Sequence, residues 1–137
     1  MVQMDVRYLG DLRTEAIHEP SSASLVTDAP KDNQGLGRSF SPTDLLATAL
    51  GSCMLTIMGI VAKREGFELH GASVRVLKEM TTSGPRRVAR LACTFHLPGS
   101  LTSEQRQKLQ NAAITCPVHK SLHPEVSVDI EYHYDVP

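Results

Sequence analysis

The sequence contains no tryptophan and only three tyrosines and three phenylalanines in 137 residues, which leaves little surface for stacking nucleobases. No sign of charge dominates: fourteen Lys and Arg stand against fifteen Asp and Glu, a net charge of −1. Without a basic field to meet a phosphate backbone, no nucleic-acid partner is expected. The three cysteines are too few, and odd in number, for a secreted disulfide scaffold. Residues 1–7, Met-Val-Gln-Met-Asp-Val-Arg, show no basic stretch leading into an apolar one, so no signal peptide is expected and the anticipated setting is the reducing cytoplasm. Dinucleotide-binding, Walker, zinc-protease and nucleophile-elbow motifs are all missing, which removes the enzyme classes those motifs serve.

What is present is an ordinary globular composition, 41% apolar and 21% charged. The chain has the length of one domain, residues 1–137, able to bury roughly two-thirds of its unfolded surface without staples. The exception to this ordinariness is residues 45–62, eighteen positions without a charge, the lower limit of a membrane span.

Periodicity organises the rest. Val2, Met4, Val6 and Tyr8 alternate with polar residues before a turn at Gly10-Asp11, and residues 13–19 and 23–27 read as two further strands around Pro20-Ser21-Ser22. Residues 28–37, rich in Pro, Gly, Asn and Asp, form a loop. Ser41-Pro42-Thr43-Asp44 is a helix start, with Ser41 as the cap, Pro42 where its missing N–H costs nothing and Asp44 near the positive end of the dipole. The helix is predicted to reach about Glu65, stopped by Gly66. It is apolar nearly all round, which fits either a membrane span or the buried centre of a domain. The buried centre is expected, because a lone span would strand the amphipathic strands on either side and because Gly51 and Gly59 suit close packing. Residues 72–80 and 87–97 alternate as antiparallel strands. Thr102-Ser103-Glu104-Gln105 has the pattern of a capping box opening a second helix to about Thr115, and Pro117 can open a short third helix through Leu122. Val126, Val128, Ile130, Tyr132 and Tyr134 share one face of a closing strand. The order is βββ-α-ββ-α-β, an α+β domain with no repeat or linker.

The candidate chemistry rests on thiols. On spacing alone, Cys53 inside the apolar helix reads as a small buried hydrophobe. For Cys116, in Thr115-Cys116-Pro117-Val118-His119, packing and chemistry stand level, since free backbone N–H groups at the start of the third helix would lower its pKa. Cys93 shares a strand face with Leu91 and Phe95 and reads as core. A metal site is a weaker reading. Cys116, His119 and His123 have a C-x2-H-x3-H spacing and Cys53 would be the fourth ligand, yet Pro117 and Pro124 fix the backbone and no second close ligand pair exists. No cofactor is expected. His18, His70, His96 and His133 are scattered over strands and turns.

Taken together, SPTDLLATALGSCMLTIMGIVAKREGF and CPVHKSL resemble the paired motifs of the OsmC/Ohr family, the osmotically inducible and organic-hydroperoxide-resistance proteins. Those motifs are a Pro-led buried helix bearing a Cys and a Cys-Pro motif about sixty residues on; here the interval is 63 residues. The resemblance implies an OsmC-like fold, an antiparallel sheet with a long buried central helix, in an intertwined homodimer. It implies a thiol peroxidase in which Cys53 attacks an organic hydroperoxide and Cys116 resolves the product to a disulfide. An external dithiol, for which the family points to a lipoyl group, would reset the pair, and neither nucleic acid nor membrane takes part. The family's thiolate has an Arg beside it, and Arg13 and Arg38 both qualify, Arg13 ranking slightly first. The Glu that fixes this Arg in the family is replaced by Thr43, ten residues before Cys53, with Asp44 the nearby carboxylate. His119, where the family often has Ser, is a further candidate neighbour for Cys116. The missing Glu keeps a second expectation open, a small-molecule-binding or redox-sensing protein of the same fold without turnover.

Overall fold

The computed structural model describes residues 1–137, which divide into two compact units, residues 1–46 and 47–137. In the first unit β1 (Met4–Gly10), β2 (Arg13–His18) and β3 (Ala23–Asp28) form an antiparallel sheet in that order. The β1–β2 turn carries Gly10, Asp11 and Leu12 at φ 89, 53 and 63°, and the Leu12 N–H donates to the Tyr8 hydroxyl at 3.2 Å. The β2–β3 turn places Ser22 at φ 60° and fixes the register, so that Arg13 pairs with Asp28 at the far end. Alternation in β1 is not matched by a covered face, since Val6 and Tyr8 are 65% and 66% exposed.

Beyond β3 the chain folds back on itself. The N–H groups of Gly35 and Gly37 donate to the carbonyls of Pro30 and Ala29 at 3.0 and 3.1 Å, and that of Asp28 to the carbonyl of Phe40 at 3.1 Å. A side chain at Gly35 would fall onto the Ala29 carbonyl, so this loop requires glycine there. Helix α1 (Pro42–Glu65) begins as its first residues predict. The Asp44 N–H donates to Ser41 Oγ at 3.1 Å and the Ser41 N–H donates back to Asp44 Oδ2 at 2.8 Å.

The second unit holds α1 from Ala47 onward, β4 (Ser73–Met80), β5 (Val88–Pro98), α2 (Ser103–Ala113), α3 (Pro117–Ser121) and β6 (Ser127–Val136). Strands β4 and β5 pair antiparallel, as their alternation predicts, whereas β6 lies parallel to β5. The sheet is therefore mixed. The path between β5 and β6 runs through two helices, long enough to return the chain to the same end of the sheet, as a parallel pairing requires. Helix α1 buries one stripe, Leu50, Gly51, Met54, Met58, Val61 and Ala62. The three- and four-residue steps of that stripe put these side chains on one face. They share a core with Leu91, Cys93, Phe95 and Leu97 of β5. A Cβ at Gly51 would come within 2.9 Å of Val76 and 3.1 Å of Val74, so glycine here lets the helix approach β4. By length and composition α1 is apolar enough to cross a membrane; the stripe instead packs on the sheet, while Ile60 on another face is 55% exposed.

The capping box is formed at α2. Gln105 N–H donates to Thr102 Oγ1 at 3.2 Å and Thr102 N–H donates to Gln105 Oε1 at 2.8 Å. Thr102→Ala removes one acceptor from the free N–H groups of that helix and is expected to cost about 1 kcal/mol. Urea unfolding monitored by circular dichroism measures it, and an unchanged midpoint would show that the box contributes nothing.

Candidate functional site

The two thiols that the family resemblance pairs lie together in the second unit. Cys53 lies half-buried in the middle of α1, and Cys116 is the fully buried N-cap of α3. Cys116 has extended backbone (φ −60°, ψ 137°) because Pro117 follows it. Its Sγ accepts from the His119 N–H at 3.2 Å, and Cys53 lies close enough to act on its ionisation. Burial pushes the Cys116 thiol above its ordinary pKa. The N–H groups of His119 and Val118 pull it down, and Cys53 pushes it up as a hydrogen-bond partner and as a like charge. The expected lowering by the α3 backbone is present but outweighed by desolvation. Cys116 is thus held as a neutral thiol beside Cys53, and neither is in a disulfide.

Cys93 is core, as its strand position predicts. It is 1% exposed, and burial, with a smaller contribution from Cys116, pushes its thiol up to about 11. A thiol so placed is inert. No three His, Cys, Asp or Glu side chains come together in ligating geometry, at His119 and His123 or elsewhere. His119 meets the Cys116 sulfur through its backbone N–H, and its Nδ1 is buried without a hydrogen-bond partner.

Both candidate arginines belong to the first unit, and there Arg38 is bonded to a carboxylate that sequence reasoning passed over. Asp28 ends β3 with no exposed surface. Its Oδ2 accepts from Arg38 twice, from Nε at 2.8 Å and from the backbone N–H at 3.0 Å. Arg13 stands opposite Asp28 in the β2–β3 register. Arg13 Nε and Asp28 Oδ1 are both buried without a hydrogen-bond partner. The side-chain and backbone bonds from Arg38 hold the Asp28 carboxyl below the usual carboxylate range, and that bond in turn raises Arg38. Arg38 is therefore held, and by Asp28. Thr43, in the place of the family Glu, sits in the first turn of α1 with its hydroxyl 3.1 Å from Ser41 Oγ. The signal for Asp28 was present in the register: counting outward from the tight turn at residues 19–22 sets 28 against 13.

An α+β fold with a mixed sheet, a long apolar helix and two adjacent thiols, one on that helix and one at the start of a Pro-led turn of helix, defines a class of small thiol proteins. Residues 34–131 match the family described as OsmC-like protein. The chain belongs to that family. It is 45% identical to a solved structure from Psychrobacter arcticus, described as an osmotic-stress-induced and detoxification-response protein, with a TM-score of 0.91 over 97% of this chain and 96% of that one. It shares its fold, at 16% identity and a TM-score of 0.76 over 96% of each chain, with the organic hydroperoxide resistance protein OsmC of Legionella pneumophila. OhrB of Bacillus subtilis, an organic hydroperoxide resistance protein, shares it at 18% identity and a TM-score of 0.71, over 97% of this chain and 98% of that one. An uncharacterised protein of Acinetobacter baylyi is 27% identical over 110 residues, 74% of this chain and 72% of its own.

Proposed function

We propose that this protein is a thiol-dependent peroxidase that reduces organic hydroperoxides in oxidative-stress defence. The observation that carries the reading is the meeting of Cys53 and Cys116, 63 residues apart in sequence, as interacting free thiols. The names of the Legionella and Bacillus relatives support it. The Cys53 thiolate attacks the distal oxygen of ROOH; the O–O bond breaks, and the departing alkoxide takes a proton to leave as ROH. Cys53 is now a sulfenic acid. Cys116 sulfur attacks the Cys53 sulfur, the sulfenic hydroxyl leaves with the Cys116 proton as water, and a disulfide remains. A neutral Cys116 supplies that proton. An external dithiol such as a lipoyl group then returns both thiols and is itself oxidised to a disulfide. A guanidinium beside the thiolate stabilises it, and Arg13 and Arg38 are the candidates. The apolar surroundings of Cys53, which packs against the core, favour alkyl over hydrogen peroxide.

The protein is further proposed to act in the cytoplasm, where dithiol reductants are available, and as a homodimer that covers exposed apolar side chains such as Val6, Tyr8 and Ile60. The test is consumption of cumene hydroperoxide with dihydrolipoamide as reductant. The wild type is expected to exceed free cysteine at equal thiol concentration. Consumption no faster than that of free cysteine, with an apolar ligand copurifying, would favour the second reading, a binding or redox-sensing protein, which the Thr in place of the family Glu motivates.

A further inference from the structure

We infer that His119 is a catalytic residue of the resolving step: its imidazole carries the proton from the Cys116 thiol to the oxygen that leaves Cys53. The inference rests on the peroxidase reading and supplies a group for the half-reaction in which the disulfide closes. Every residue it uses lies in the second unit. Three observations carry it. His119 already touches the reacting sulfur, since its N–H donates to Cys116 Sγ at 3.2 Å. It is the third residue of α3 after the Cys116 cap, the position whose side chain reaches back toward the cap. Ring and thiol therefore share one turn. Secondly, Nδ1 is buried without a hydrogen-bond partner, although the residue as a whole is partly exposed. An unpaired ring nitrogen inside a protein is costly, and each such group in a native structure has a reason to persist. With its hydrogen on Nε2, the neutral ring presents at Nδ1 the lone pair that a proton carrier needs. Thirdly, the thiol it serves is neutral. Burial holds Cys116 above its ordinary pKa, with Cys53 adding to the shift, and a thiol is a poor nucleophile until its proton leaves.

The other titratable groups around this turn are otherwise engaged. Cys53 on α1 holds the sulfenic acid at this stage, and Cys93 on β5 is a protonated core thiol. Lys120 and His123 are exposed, and His123 Nδ1 accepts from the Glu125 N–H at 3.1 Å. In the step itself the Cys116 sulfur bonds to the Cys53 sulfur while its proton passes to His119 Nδ1. The S–O bond breaks, and the departing hydroxide takes that proton and leaves as water. The imidazole ends as it began.

Single-turnover experiments with one equivalent of cumene hydroperoxide follow the two halves separately, sulfenic acid by dimedone trapping and disulfide by intact mass. His119→Asn keeps a polar atom near the place of Nδ1 but no base. Oxidation of Cys53 is expected to stay within about two-fold of wild type. Disulfide closure slows about ten-fold or more, and the Cys53 sulfenic acid accumulates. His123→Asn closes at the wild-type rate. Unreactivity of Cys93 toward a thiol reagent confirms in the same samples that the core is intact. The pH profile separates a proton carrier from a structural role. Wild-type closure falls on acidification, as the imidazole is protonated, and is level through neutrality. Without the imidazole, closure follows the Cys116 thiolate and climbs about ten-fold per pH unit through the same range, because that thiol ionises above it. The wild-type profile carries the test should His119→Asn fail to fold. A wild-type rate that climbs in this way, or closure in folded His119→Asn as fast as in wild type, would overturn the assignment while leaving the peroxidase reading in place. A wild type whose hydroperoxide consumption is indifferent to Cys53→Ser would instead remove the peroxidase reading, and this assignment with it.

Discussion

Cys53→Ser is expected to reduce dithiol-dependent hydroperoxide consumption by about a hundred-fold or more, because a serine hydroxyl at neutral pH has neither the ionisation nor the polarisability of a thiolate. No other thiol is placed to compensate. Cys116 is buried and held protonated by its surroundings, and Cys93 is deeper still with its pKa pushed to about 11. Cys116→Ser acts differently. The first attack on the hydroperoxide is retained, so one equivalent of ROH is released per chain, but the sulfenic acid on Cys53 has no partner with which to condense. That variant accumulates a Cys53 sulfenic acid trapped by dimedone, whereas Cys53→Ser gives no adduct. Sulfenic acid on Cys116 in the Cys53→Ser variant, at a rate like that of the wild type, would reverse the assigned roles. The assay is loss of cumene hydroperoxide followed with dihydrolipoamide as reductant, with intact mass of the dimedone-treated protein.

The largest stability effect is expected at Phe95. Its side chain is fully buried at the centre of β5, stacked on Tyr132 with ring centroids 5.3 Å apart, among Leu50, Met54 and Met58 of the helix core. Phe95→Ala loses the transfer free energy of the ring and leaves a cavity that rigid neighbours on helix and sheet cannot fill, an expected cost of about 3–5 kcal/mol. In urea the midpoint falls with little change in slope. A loss below about 1 kcal/mol would show that this part of the core collapses freely on truncation.

The elements were legible where local chemistry decides them. Helix α1 runs from Pro42 to Glu65 as Ser41, Pro42 and Gly66 indicate, and the capping box at Thr102 is formed. Alternation placed β5 and put Cys93 on its buried face. What escaped depends on contacts between distant segments. The parallel pairing of β6 is set by the path of two helices, and no strand sequence encodes the direction of its neighbour. Alternation in β1 marks side chains that this chain alone does not cover.

The site was legible to the same degree. The two thiols follow from their motifs, but the net upward shift at Cys116 depends on how deeply α3 is buried. Asp28 lies in a stretch whose composition is that of a loop. Only its register against Arg13 and its bonds to Arg38 show that it is an anchor.

The central claim is that Cys53 and Cys116 form a redox pair, and intact mass tests it most directly. Reduced protein is treated with one equivalent of cumene hydroperoxide, alongside Cys53→Ser and Cys116→Ser. The account predicts rapid loss of two hydrogens per wild-type chain, absent in both variants, with Cys93 still reduced and full reversal by a dithiol. Thiols that stay reduced, or that oxidise slowly and without preference among the three cysteines, would contradict it.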